Sequence, residues 1–454
     1  ASDVYKRQEK RYDIMNNSRQ LLDFINKSKT AFQAAYEVKD ILDRNGYTEL
    51  KESDSWDLKK GGKYYVMKNN SALIGFEIGN GEIEEEGFRL IGAHTDSPGF
   101  RIKPNAEIKA EGTYIKLNTE VYGGPILSTW FDRPLSIAGR VTLKSDNVFK
   151  PEVRLVDIEK PVLIIPSLAI HMNRGVNDGY SFNAQKDTLP LLGLENEESG
   201  KVFADAAKAD LEKDGYLLSL LAATLNVEAS DILDFDLFLY EYEKGSLVGL
   251  NEELISVGRL DDLWMVFAGL KAITESKTIN ATKVLVALDN EEIGSLTKQG
   301  ANSNILENIL ERIVLGLGKG REEFRRAVSN SIMISADLAH AVHPNYGEKC
   351  DPTNKPVLGG GPVLKIAASG SYSTDSYASA IFKAVCEKAN VPCQVFVNRS
   401  DMKGGTTIGP ISAGKLNIPV IDMGAPLLSM HSIRELASVK DNEYTIKAFT
   451  EFLS

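Results

Sequence analysis

The chain has 454 residues, 43% of them hydrophobic and 25% charged, which excludes wholesale disorder. No apolar run approaches the ~20 residues that a bilayer-spanning helix requires. Its 52 basic and 63 acidic residues leave a net charge of −11, so neither nucleic acid nor a membrane is an expected partner, and small molecules, peptides or proteins are.

Residues 1–8 are basic and polar, lack the apolar core of a secretory signal, and read as translated adapter sequence. Apolar residues from Leu22 through Leu42 approximate a helical period that predicts one helix over 18–44, stopped by Asn45-Gly46. Short strands are expected over 64–68, 72–78 and 88–93. From 101 to 166 the texture changes to alternating strands, over 108–122, 135–143, 153–158 and 162–165. A polar loop around 173–187 precedes helical stretches over 202–225 and a strand over 234–242.

Thereafter strands and helices alternate. A helix over 257–273 opens with Asp261-Asp262, and strands over 283–288 and 331–335 flank a helix over 305–317. A helix over 376–388, strands over 394–397 and 418–422, and a closing helix from 442 complete the pattern. This α/β alternation implies a mainly parallel sheet covered on both faces. The β-rich stretch between the α/β pieces suggests an insertion: a discontinuous catalytic domain over 9–97 and 246–454, interrupted by a β-rich domain over 98–245. Three cysteines, Cys350, Cys386 and Cys393, sit in no Cys-x-x-Cys or Cys/His cluster and fit a reducing, cytoplasmic compartment.

Four polar clusters follow predicted strands: His94-Thr-Asp96, Asp289-Asn-Glu291-Glu292, Asp337-Leu-Ala-His340 and, after a short loop, His431. Open α/β sheets bind ligands beyond the carboxyl ends of their strands, so these groups can converge, with Asp261 added from a helix start. Carboxylates and imidazoles without a thiolate suit zinc, or manganese or cobalt, in a hydrolytic site. Adjacent Glu291 and Glu292 can divide the roles of ligand and base. The i, i+2 spacing of His94 and Asp96 lets Asp96 hold the second imidazole nitrogen and fix the tautomer. Singly, each cluster also fits a surface or capping residue; four of them closing buried strands are hard to assign to chance.

Together Ile-Gly-Ala-His94-Thr-Asp96-Ser-Pro, Gly258-Arg-Leu-Asp261-Asp, Asp289-Asn-Glu291-Glu292-Ile-Gly-Ser, Ser335-Ala-Asp337-Leu-Ala-His340-Ala-Val-His343 and Met430-His431-Ser-Ile-Arg-Glu resemble the aspartyl aminopeptidase family, dizinc exopeptidases that include vacuolar aminopeptidase I. The resemblance runs from about Phe32 to the C-terminus. It implies a zinc-exopeptidase (phosphorylase/hydrolase-like) catalytic domain with an inserted dimerisation domain, and removal of N-terminal residues, Asp or Glu expected, from peptides. It implies Asp261 bridging two zinc ions, His94 and Asp337 completing one, and Glu292 with His431 the other. Glu291 would be the general base, with Asp96 supporting catalysis behind His94.

The segment around His171 resembles the inserted domain, whose histidine reaches a neighbouring subunit's active site and there binds the tetrahedral oxyanion. Asp337, His340, His431, Glu291 and His171 are the implied substrate contacts, with Lys365 pairing with an acidic side chain. The resemblance also implies a homo-oligomer, in the family a dodecamer. Ser400-Asp-Met-Lys-Gly404-Gly405-Thr-Thr-Ile-Gly-Pro resembles the family's glycine-rich turn at a helix start, able to hold an anion and read as pocket wall. Rival readings are a broad or leucine-preferring aminopeptidase, a catalytically silent metal-stabilised peptide-binding assembly, and a zinc deacylase of small amides.

Overall fold

A computed structural model describes residues 2–195, 200–207, 209 and 211–454. The chain divides into two compact units: residues 1–97, 245–430 and 434–454 form the first, and residues 98–244 with 431–433 the second. Among the described residues no helix is long and apolar enough to cross a membrane.

The first unit is built on a nine-stranded sheet in the order Thr48–Glu49, Lys63–Lys68, Ala72–Glu77, Thr282–Leu288, Phe88–His94, Ile332–Ala336, Val420–Gly424, Val363–Lys365 and Gln394–Phe396. Its centre is parallel, since Phe88–His94 pairs in parallel with both Thr282–Leu288 and Ile332–Ala336, and the last pairs likewise with Val420–Gly424. Parallel strands sandwiched between helices must be apolar on both faces, and all seven residues of Thr282–Leu288 are buried. One face packs Ile91, Ala93, Leu285 and Ile334 against the helices Leu260–Glu275 and Val439–Phe452. The other packs Leu90, Val284, Val286 and Met333 against the helix Ile305–Gly316. Parallel pairing has a functional consequence: the carboxyl ends of the central strands face the same way.

A buried ion pair interrupts this apolar sandwich. Lys283 Nζ lies 2.9 Å from Glu77 Oε2, both side chains at most 2% exposed. The ammonium also donates to the Ser276 hydroxyl at 3.1 Å and the Lys277 carbonyl at 3.1 Å. Burial pulls the Lys283 pKa down, and the Glu77 carboxylate opposes that shift. Removing one partner strands the other charge in the core, so Lys283→Met is expected to cost about 3–5 kcal/mol. Urea unfolding monitored by circular dichroism checks this; a loss below about 1 kcal/mol contradicts it.

The second unit contains a six-stranded sheet, antiparallel throughout, in the order Glu152–Asp157, Leu135–Leu143, Ile232–Glu241, Gly99–Ala110, Tyr114–Tyr122 and Leu191–Leu194. Leu217, Leu220 and Leu221 of the helix Gly215–Leu225 share its core with Phe100, Leu117, Ile137 and Leu237.

Several expectations need correction. The helix expected over 18–44 is two, Ser2–Lys27 and Ala31–Arg44. The apolar period runs through the break, but the Thr30 hydroxyl accepts the Phe32 N–H at 3.2 Å and caps the second helix, offering the backbone an alternative to continuing the first. The expected 257–273 helix starts at Leu260, because Val257 belongs to the strand Leu254–Val257, paired with Glu435–Ser438.

The 108–122 strand is a hairpin between Gly99–Ala110 and Tyr114–Tyr122, turning where Glu111 and Gly112 take positive φ. The 162–165 strand reduces to isolated bridges at Leu163 and Ile164, since the flanking Pro161 and Pro166 cannot donate to a ladder. Of the helical stretch expected over 202–225, residues 208 and 210 lie outside the described residues, and the helices are Lys201–Ala207 and Gly215–Leu225, with a turn over 211–214 before the second.

Candidate metal centre

Three central strands of the first unit end in ionisable side chains. His94 closes Phe88–His94, Asp289, Glu291 and Glu292 follow Thr282–Leu288, and Asp337 follows Ile332–Ala336. Parallel pairing puts these ends side by side, as the topology of open α/β sheets requires of a ligand site. The helix Leu260–Glu275 contributes Asp261 and Asp262 from its first turn, where Asp261 departs from helical geometry at φ −80°, ψ 104° and the Asp261–Asp262 peptide is cis.

His94 is 1% exposed. Its Nδ1 lies 3.0 Å from the Asp96 carbonyl oxygen and 3.3 Å from Asp96 Oδ1. A carbonyl only accepts, so Nδ1 carries a proton, and Nε2 is the ring atom left to face the carboxylates. Nε2 lies 3.4 Å from Asp261 Oδ1 and 3.9 Å from Glu291 Oε2. Asp96 also receives the Glu291 and Glu292 N–H groups, each at 3.1 Å, and so ties the His94 loop to the turn that carries both glutamates. The Asp261 N–H donates to Glu435 at 3.0 Å, and its carbonyl accepts from the Ser97 hydroxyl at 2.9 Å. These bonds orient the donor set through the main chain.

One donor atom from each of His94, Asp261, Asp262 and Asp337 lies within 4.8 Å of the others, as does one from each of His94, Glu291 and Glu292. So much buried negative charge leaves its mark. Burial pushes Glu291 up to about 7; His94 opposes this, while Asp337, Asp96 and Asp261 reinforce it. Burial raises Glu292 and Asp262 well above the carboxylate range, and raises Asp337, where Lys365 opposes the shift. At His94 burial favours the neutral ring, yet Asp262, Asp261, Asp96 and Glu291 together hold its pKa well above the usual value.

Two observations test whether a divalent cation suits this cluster. Donors about 2.0–2.1 Å from a tetrahedral zinc ion lie about 3.3 Å apart, close to the 3.4 Å between His94 Nε2 and Asp261 Oδ1. Asp262 Oδ1, fully buried, makes no hydrogen bond, while Oδ2 accepts the His94 N–H at 3.0 Å. Imidazole and carboxylate donors crowded without enough cation are the donor chemistry of zinc, manganese or cobalt.

The remaining expected site residues fall as follows. Lys365 ends the strand Val363–Lys365, is 3% exposed, and places Nζ 3.5 Å from Asp337 Oδ1 and 5.4 Å from the Tyr372 ring centroid. His340 is exposed, its ring 5.8 Å from that of Phe396. His171 is exposed in a turn of the second unit. His431 groups with the second unit, its Nδ1 3.0 Å from the Gly124 carbonyl.

The glycine-rich turn leads into the helix Ile408–Leu416. At its start the Thr407 hydroxyl accepts the Gly409 N–H at 3.1 Å and donates to Asp422 at 2.5 Å, and Asp422 also accepts the Ser373 N–H at 2.5 Å. Sequence reasoning gave no role to Asp262, a member of the cluster, or to Asp289 beside it. Asp262 was legible only as the second acid of a helix opening. Asp289, pushed to about 7 by burial and then by Asp96, was legible as the first acid after its strand.

Comparison with known proteins gives one consistent answer. The family described as Aminopeptidase I zinc metalloprotease (M18) matches residues 24–453. The chain is 59% identical over 433 residues to the "Probable M18 family aminopeptidase 2" of Clostridium novyi, covering 95% of this chain and 97% of that protein. Among solved structures it resembles a chain of the Ape4 and Nbr1 complex, with a TM-score of 0.91 at 38% identity, covering 97% of this chain and 86% of that one. It also resembles the S. cerevisiae mApe1 dodecamer, with a TM-score of 0.82 at 28% identity, covering 96% and 95%.

Proposed function

The chain belongs to the M18 family of zinc aminopeptidases, and from that premise we propose that it removes single N-terminal residues, Asp or Glu before others, from peptides at a centre of two zinc ions. In this reading His94, Asp261 and Asp337 hold one ion, and Asp261, Glu292 and His431 the other. The ions, when bound, supply Lewis acidity toward the scissile carbonyl and lower the pKa of water. The observation that carries the proposal is the His94 ring, locked by Asp96 with Nε2 turned into a buried group of carboxylates.

The chain's own groups divide the remaining work. Glu291 takes a proton from the attacking water and returns it to the leaving amine. A residue pushed up to about 7 is well placed for a base near neutral pH, and a nearby cation would lower it further into its ionised form. Asp96 holds the Nδ1 proton of His94 and so keeps Nε2 directed inward. Asp337, His340 and His431 contact substrate. His171, carried on the inserted unit, stabilises the oxyanion in a neighbouring subunit, which requires a homo-oligomer. We assign the dimer contact to residues 98–245 and a dodecamer to the whole, as in the S. cerevisiae relative; native mass spectrometry giving only monomers contradicts both. The three free thiols suit a cytoplasmic location.

Preference for an acidic N-terminal residue rests on Lys365, the buried cation beside Asp337. A pocket cation rewards a substrate carboxylate and leaves an apolar side chain without compensation. Turnover of the Asp-, Glu- and Leu-anilides tests this: kcat/KM is expected to favour the acidic substrates by about 100-fold. Equal values, or a Leu preference, replace the acidic reading with a broad or leucine-preferring aminopeptidase.

A further inference from the structure

The strand Phe88–His94 has the candidate centre at its carboxyl end and is buried along its length except at Arg89, near its amino end. Around Arg89 the first unit contains a cleft of about 520 Å3, with apolar walls from Ile332, Ile381, Ala384, Val385 and Phe452. This volume lies within the range of small-molecule sites, and beside the apolar wall the cleft carries polar groups, among them Arg89, Asn330, Ser331, Lys388 and Glu451.

Arg89 is the directing group, and its charge has no partner of its own. Among the described residues it makes no ion pair or side-chain hydrogen bond. The one acidic side chain lining the cleft, Glu451, is committed to Lys388 at 2.7 Å. On the neighbouring strand the residue in register with Arg89 is Lys283, a second cation, which already occupies Glu77. A guanidinium forms its strongest pairs with planar carboxylates, through two parallel hydrogen bonds.

We propose that this cleft is a second ligand site, remote from the metal centre, which takes a small organic carboxylate: the carboxylate on Arg89 and an apolar body against Ile332, Ile381 and Phe452. Inorganic phosphate would use the charge and leave the apolar wall wet. An amine would meet Arg89 as a like charge.

The test uses the zinc-loaded full chain with its metal centre blocked by aspartate hydroxamate, so that a carboxylate cannot report binding there. Calorimetric titration with 4-phenylbutanoate is expected to saturate with a dissociation constant of about 1 mM or tighter. 4-Phenylbutanol and 4-phenylbutylamine are expected to bind at least about tenfold more weakly. Arg89→Met should weaken the acid by at least about tenfold, as should Ala384→Trp, which fills the cleft without touching the charge. Both variants should keep the unblocked enzyme's hydrolysis of an Asp-anilide. No saturation by the acid, equal binding of the alcohol, or parental affinity in Ala384→Trp overturns the site, and none of these results bears on the aminopeptidase reading.

Discussion

Glu291→Gln is expected to lower kcat for an Asp-anilide by about 10^3-fold while zinc content stays at the parental level. A positioned general base contributes about 10^2–10^4-fold. Gln keeps the volume and the main-chain N–H that donates to Asp96, so the fold and the donor set should survive. The acid limb of kcat/KM in the parent should follow the ionisation of Glu291, rising with pH and placed below about 7, since any cation nearby stabilises the ionised form. Steady-state kinetics with metal analysis on the same preparation checks both. Parental activity in Glu291→Gln would remove the base from the mechanism, and loss of zinc together with activity would mark Glu291 as a ligand.

Chelation carries the second large effect. Dipicolinate followed by dialysis should abolish hydrolysis, with recovery on adding zinc, and it should also change how stability responds to pH. Without a cation the folded protein holds extra protons, because Glu291, Glu292, Asp262 and Asp337 have raised pKa values. Raised carboxylates are stabilised where they are protonated and lose that advantage as pH rises through the folded pKa, for Glu291 from the ordinary value of 4.5 up through about 7. His94, also raised, contributes stability below its unfolded value of 6.5 that is likewise lost on raising pH. Both signs agree: the folded state binds more protons than the unfolded, so stability of the chelated protein falls as pH increases. The melting temperature lost on chelation should therefore be larger at pH 8 than at pH 5.5. An equal loss at both values contradicts the charge accounting.

Which residues form the cluster was largely legible, because its members stand where a sequence can show them. His94 closes an apolar strand run, Asp337 directly follows one and Glu291 comes three residues after another, and strand ends are where open sheets place their ligands. Asp262 was less legible, since its part is to receive the His94 N–H across a long stretch of chain, a contact that spacing cannot reveal. The glycine-rich turn shows a different limit. A helix start rich in glycine suggests an anion at its amides; here the Gly409 N–H goes to the Thr407 hydroxyl, which itself donates to Asp422 of the neighbouring strand.

In the fold, parallel strands announced themselves as continuous apolar runs such as Lys283 to Leu288. The break at Ser28 to Thr30 did not, because the apolar period continues across it and only the capping hydroxyl of Thr30 marks the boundary. Strand order was equally hidden. Nothing local in Ala72–Glu77 says that it pairs antiparallel with Thr282–Leu288, more than 200 residues away.

The central claim is that this strand-end cluster is a two-ion centre bridged by Asp261. Anomalous diffraction at the zinc edge from crystals of the zinc-loaded protein tests it most directly. The expected result is two peaks about 3.5–4 Å apart, both in contact with Asp261, one also with His94 and Asp337 and the other with Glu292 and His431. A single peak, or a pair whose shared ligand is not Asp261, contradicts it.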